Sequence, residues 1–207
     1  MWHKNYTIVD VETTGGSPLL SRVIEIGLIR VEKGEVVERF KSLINPQIEI
    51  PQFITEMTGI KNSMVKKAPT FEELSENLLP LFEDSVFVAH NSNFDYSFLK
   101  AEFAKAGLVF SSETLCTVRL SRILFPQYKR HNLSTLIERF GFKCKNRHRA
   151  YDDAKVLLDF LKHVDRTLEP KVILRAIDSA IKKISPARFR TKLQKDELRE
   201  LEYISEI

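Results

Sequence analysis

The chain has 207 residues, 43% of them hydrophobic and 29% charged, enough to bury one sizeable core and too short for two ordinary domains with linkers. Its 32 basic and 28 acidic side chains leave a formal net charge of +4, an excess that permits nucleic-acid contact without demanding it. Cys116 and Cys144 form neither a zinc cluster nor a CxxC redox pair, the first residues lack the apolar stretch of a secretory signal, and no apolar run reaches the roughly 18 to 20 residues that span a bilayer, so a cytoplasmic protein with no membrane partner is expected.

In chain order, YTIVDVE from Tyr6, VIEIGLIRVE from Val23 and ERFKSLINP from Glu38 are β-branched-rich runs that predict three strands, the last two joined by a hairpin at Lys33-Gly34. APTFEELSENLLPLFED follows with apolar residues at helical spacing after a cap at Thr70, and SVFVAHN predicts a short buried strand. FDYSFLKAEFAKAG predicts a helix stopped at Gly107. TLCTVRLSRILF before Pro126, NLSTLIERF before Gly141, and AYDDAKVLLDFLKHV complete the helical patterns. A strand meander followed by helices alternating with further strands indicates an α/β fold with a mixed central sheet flanked by helices.

Asp10 and Glu12 lie two apart within an apolar strand pattern, so both carboxylates point to one side of the sheet. Two readings fit: a half-exposed edge strand, or a metal site, since like charges buried side by side need a compensating cation. The apolar neighbours Ile8, Val9 and Val11 favour the metal site. Asp95, after the polar turn His90-Asn91-Ser92-Asn93, and Asp153, near the start of a helix, each read alone as acidic residues favoured by a helix dipole. His148, five residues before Asp153, reads alone as a solvated histidine in a basic stretch. Taken together, four carboxylates and a histidine supply what phosphodiester hydrolysis needs: hard oxygen ligands for two Mg2+ or Mn2+ ions and a group to take a proton from water.

IVDVETTG from Ile8, VAHNSNFDYSFL from Val88 and HRAYDDA from His148 resemble, in order and rough spacing, the three exonuclease motifs of the DEDD superfamily in its His-containing branch, DEDDh. That branch includes the proofreading epsilon subunit of bacterial DNA polymerase III, ribonuclease T and oligoribonuclease. The resemblance implies a ribonuclease H-like exonuclease domain over residues 1–164; beyond it the pattern changes, and charge runs with a helical stretch between Pro170 and Pro186 predict a charged, helical C-terminal extension over 165–207 that departs from the family. The resemblance also implies metal binding at Asp10, Glu12, Asp95 and Asp153, with His148 as general base. Asp152 adjoins the expected ligand, but the HxxxxD spacing selects Asp153. ITEMTGI from Ile54 resembles a segment that lies by the terminal nucleotide, so Thr58 and Ile60 are candidate substrate contacts, as are Thr13 and Thr14 just after the first motif; each also reads as a turn or cap residue. Asn91 and Phe94, beside Asp95, are further candidates, although the spacing of Phe94 and Phe98 also suits core packing.

The implied activity is metal-dependent 3′-to-5′ hydrolysis of DNA to nucleoside 5′-monophosphates, in proofreading or repair. The alternative within the class is an RNA-directed exonuclease of the ribonuclease T or oligoribonuclease type, because the motifs are shared and tolerance of a 2′ hydroxyl depends on other contacts. From another class, the chain reads as a polymerase-associated binding subunit. Its tail runs from a basic stretch, Lys171 to Lys195, into an acidic one, Asp196 to Glu206, and such a tail suits a partner protein, nucleic acid or solvent alike.

Overall fold

The structure is a computed structural model that describes residues 1–182. The acidic end of the chain and most of the basic run before it lie outside the described residues. Strands β1 (Tyr6–Thr13), β2 (Val23–Glu32) and β3 (Glu35–Leu43) form an antiparallel meander. The β2–β3 hairpin turns where the sequence predicts, with positive φ at both Lys33 (51°) and Gly34 (89°), the backbone twist that two-residue hairpins favour. Pairing runs up to that turn, so β3 starts three residues earlier than its hydrophobic pattern suggests.

Strands β4 (Val86–Ala89) and β5 (Thr114–Cys116) run parallel to β1, and β6 (Ile181–Lys182) returns antiparallel to β5, giving the order β3-β2-β1-β4-β5-β6. The helices are α1 (Gln52–Thr58), α2 (Asn62–Val65), α3 (Phe71–Leu78), α4 (Asn93–Lys105), α5 (Thr117–Leu124), α6 (Leu133–Phe140), α7 (Ala150–Thr167) and α8 (Pro170–Ala180). This is the mixed-sheet, ribonuclease H-like α/β arrangement that the motif resemblance implies. Among the described residues no helix is long and apolar enough to cross a membrane.

Thr70 caps α3 as predicted: its hydroxyl accepts from Glu73 N while the Glu73 carboxylate accepts from Thr70 N, a reciprocal capping box. One segment departs from its sequence pattern. TLCTVRLSRILF reads as a single helix, yet Thr114–Cys116 is a strand and only Thr117–Leu124 is helical. The open edge of β4 offers backbone partners to Thr114, Leu115 and Cys116, and ladder bonds to a buried edge outweigh a weak local helix preference.

The period-2 alternation of β1 divides the core. Tyr6 and Ile8 face α7 and α8 in one cluster with Leu157, Leu161 and Ile177, whereas Val9 and Val11 face α3 and α4 in another with Phe71, Phe98 and Phe103. Asp10 and Glu12 continue the first face, towards α7. Gly27, the cross-strand partner of Asp10, makes that approach possible, because a Cβ there would lie inside van der Waals contact with the backbone of Ala150 and Tyr151. Gly27→Ala is therefore expected to destabilise the fold by about 1–3 kcal/mol, the usual cost of overpacking, and to displace the start of α7. A thermal-unfolding midpoint equal to wild type would show that α7 does not rest on this glycine.

Candidate active site

Three separate segments bring carboxylates to the carboxyl ends of β1 and β4, where ligands bind in open sheets with parallel strands. Glu12, Asp95 and Asp153 are 7%, 3% and 4% exposed. Asp10 and Glu12 project from β1, Asp153 from the first turn of α7 and Asp95 from the first turn of α4. The reach of Asp95 follows from strand lengths. β4 pairs with β1 only along Tyr6 to Ile8, so the N–H of Val11, between the two β1 carboxylates, is left to donate to Asp95 Oδ1 at 3.2 Å.

Glu12, His148 and Asp153 offer ligand atoms that all lie within 4.8 Å of one another. His148 adopts a left-handed backbone, φ 60°, which histidine tolerates better than most residues, and its N–H donates to Asp153 Oδ2 at 3.3 Å. On the other side Cys144 Sγ donates to Asp153 Oδ1 at 3.6 Å, with burial and then the Asp153 charge pushing the thiol pKa up. Arg147 reaches into the cluster and pairs with Asp153.

The electrostatics identify what this cluster lacks. Burial, then the charges of Asp95, Glu12 and Asp153, push Asp10 well above the carboxylate range, with Arg147 opposing them. Glu12 is pushed up to about 8 by burial and then by Asp153, Glu25 and Asp95; Asp95 is pushed up to about 7 by burial, against the hydrogen bonds it accepts. Hard oxygen donors held this close, under-neutralised by a single guanidinium and joined by one imidazole, fit a divalent cation of the Mg2+ or Mn2+ kind.

Two buried carboxylates outside the predicted set hold the frame. Glu25 lies directly across β2 from Glu12, where a second negative charge would be destabilising, and Arg149 neutralises it through Nε at 3.1 Å to both carboxylate oxygens and Nη2 at 2.6 Å. Ala150 N adds a hydrogen bond of 2.9 Å, tying the start of α7 to β2 and so setting Asp153 opposite Glu12. Glu102, 1% exposed on α4, accepts from Arg22 Nε and Nη2 and from Val23 N, which ties the Asp95 helix to the same strand. A lone Glu inside an apolar strand such as VIEIGL is the sequence signal for the first of these pairs; its arginine is not locatable without the fold.

The other predicted contacts are more dispersed. The hydroxyls of Thr13 and Thr14 close the loop after β1, Thr13 Oγ1 donating to Gly15 O at 2.7 Å and Thr14 Oγ1 accepting from Arg22 N at 2.9 Å. Thr58 Oγ1 bonds Ile54 O and Ile60 N, and Ile60 is fully buried against Ile24 of β2. Asn91 is exposed with φ 72°, and Phe94 is partly exposed, packed on Phe98 at 4.9 Å between ring centroids. A cavity of about 640 Å3 lined by residues such as Asn5, Asp84 and Glu113 contains none of these side chains.

The raised carboxylates carry a pH dependence. Each holds a proton in the folded chain that the unfolded chain releases near pH 4. The cost of ionising the cluster is absent below that pH and grows as pH rises towards the values near 7 and 8 of Asp95 and Glu12. Metal competes with those protons, so Mn2+ is expected to raise the unfolding temperature relative to chelator by more at pH 8 than at pH 6. Equal shifts at both pH values in a thermal-denaturation series would count against a metal site built on these groups.

The Exonuclease family profile of the ribonuclease T type matches residues 7–161. The DNA polymerase III PolC-type protein of Caldanaerobacter subterraneus subsp. tengcongensis is 41% identical over 165 residues, covering 79% of this chain and 12% of that protein. The 3′-5′ exonuclease DinG of Bacillus subtilis is 40% identical over 166 residues, 79% of this chain and 18% of DinG. The chain thus spans less than a fifth of the length of these curated relatives. Among solved structures, Exonuclease X in complex with 5′ overhanging duplex DNA superimposes with a TM-score of 0.62 at 23% identity, over 83% of this chain and 99% of that one. The nuclease domain of 3′hExo, a DEDDh family member bound to rAMP, gives 0.67 at 19%, over 80% and 93%. An E. coli Exonuclease I complex with single-stranded DNA gives 0.74 at 18%, over 83% and 42%. These likenesses carry the fold, and the family match covers three quarters of the sequence, with all three acidic motifs inside it: the chain belongs to the Exonuclease family.

Proposed function

We propose that this chain removes nucleoside 5′-monophosphates from the 3′ end of DNA. The observation that carries the reading is the convergence of Asp10, Glu12, Asp95 and Asp153 with His148 at one end of the sheet, with the Glu12, His148 and Asp153 donor atoms within 4.8 Å of one another. The four carboxylates would hold two Mg2+ or Mn2+ ions, which when bound supply the positive charge that activates water and stabilises the leaving oxygen. His148 accepts the proton of the attacking water on an imidazole nitrogen, water oxygen bonds to phosphorus, and the bond from phosphorus to the 3′ oxygen breaks. Asp95, through Val11 N, fixes the strand from which Asp10 and Glu12 project. Thr13, Thr14, Thr58, Ile60, Asn91 and Phe94 are proposed to border the terminal nucleotide, the buried Thr13, Thr14 and Thr58 through the backbone their hydroxyls hold.

Similarity to PolC-type and DinG proteins supports DNA as substrate and a proofreading or repair role. Similarity to a nuclease domain bound to rAMP supports the second reading, an exoribonuclease. The unpaired thiols Cys116 and Cys144 suit the reducing cytoplasm.

The test is a time course on 5′-labelled single-stranded DNA and matched RNA with Mg2+, Mn2+ or chelator. Metal-dependent shortening from the 3′ end is expected, lost in Asp10→Ala. His148→Ala is expected to lower kcat by about 10²–10⁴, the usual contribution of a general base, with little change in KM. Wild-type turnover in Asp10→Ala would remove the metal-site assignment, and wild-type kcat in His148→Ala would remove the base.

A further inference from the structure

The loop between α5 and α6 carries features that the acidic site does not use. Tyr128 is 39% exposed, and the guanidinium of Arg139 from α6 sits over its ring, 3.7 Å from the centroid. Arg139 Nη2 also donates to Arg130 O at 2.8 Å, so one arginine fixes both the ring and the loop backbone. Lys129 and Arg130 beside it are exposed, and among the described residues neither side chain makes an ion pair.

Hydrogen bonds tie the loop to α5. His131 is 6% exposed; its Nε2 donates to Tyr128 O at 2.9 Å, which leaves Nδ1 to accept from Ser121 Oγ at 2.8 Å. His90, directly after β4, hydrogen-bonds Thr117 Oγ1 through Nδ1 at 2.9 Å, and Thr117 lies one turn of α5 before Ser121. Tyr128 is thus linked through His131 and α5 to the carboxyl end of β4, the end of the sheet at which the carboxylates lie. A partly exposed ring held by a guanidinium and followed in the chain by two exposed cations is the arrangement that binds single-stranded nucleic acid: a base stacks on the ring and phosphates meet the charges.

We propose that Tyr128, oriented by Arg139 and followed by the exposed Lys129 and Arg130, is a docking platform for single-stranded DNA upstream of the terminal nucleotide, taking one base on the ring and adjoining phosphates on the two cations. The platform rests on the exonuclease reading above and specifies how the strand behind the cleaved end is held. Such a contact keeps the strand on the protein between successive cleavages.

The experiment is fluorescence anisotropy of 5′-fluorescein-labelled dT12 with the full chain in EDTA, so that no strand is consumed. Tyr128→Ala is expected to bind about tenfold more weakly, the loss of one base stack, while Tyr128→Phe, which keeps the ring, binds as wild type. Lys129→Ala with Arg130→Ala is expected to flatten the dependence of log K on log salt by about 1.4, roughly 0.7 for each phosphate contact on a single strand. Unchanged affinity in Tyr128→Ala, an equal loss in Tyr128→Phe, or an unchanged salt slope overturns the platform. Hydrolysis of the p-nitrophenyl ester of thymidine 5′-monophosphate by wild type reports the acidic site separately. Ester cleavage with a failed platform leaves the exonuclease reading standing, whereas an intact ester with dT12 still held through Tyr128 removes that reading and not the platform.

Discussion

Mutual repulsion among buried carboxylates is the constraint around which this molecule is arranged. Asp10, Glu12, Asp95 and Asp153 converge where water is scarce, and burial together with their own charges raises the pKa of Asp10 and Glu12. A chain selected for stability alone would place apolar residues there, since burying like charges without a partner costs several kcal/mol or more. The cluster persists because the surrounding frame fixes it from several directions and because its charge is what a divalent cation needs.

That frame consists of charge pairs placed one layer away. Arg149 pairs with Glu25, which stands directly opposite Glu12, and in doing so anchors the start of α7 against β2. Arg22 does the same for Glu102 and binds α4 to the beginning of β2. The two helices that deliver Asp153 and Asp95 are thus both tied to β2, the strand paired with β1, which carries Asp10 and Glu12. Gly27 completes the arrangement by lacking the Cβ that would hold α7 away. Each pair is partly shielded from solvent and made through several hydrogen bonds, the situation in which an arginine–carboxylate pair contributes more than an exposed one.

Much of this was legible in the amino-acid order because it depends on local geometry. The alternation of β1 puts Asp10 and Glu12 on one face whatever surrounds them, Lys33-Gly34 supplies the positive φ its hairpin requires, and Thr70 with Glu73 caps a helix by contacts three residues apart. The order of three acidic motifs carried the family and, with it, the ribonuclease H-like fold. Tertiary structure decided whatever depends on partners distant in sequence. Thr114–Cys116 became a strand because β4 offered an unpaired edge, against a helical pattern of its own. Asp95 bonded Val11 because β4 was too short to do so. Glu25 found Arg149 across 124 residues, and Tyr128 found Arg139 on the next helix. Periodicity specifies which way a side chain points, whereas the group that neutralises or orients it is chosen by packing in three dimensions.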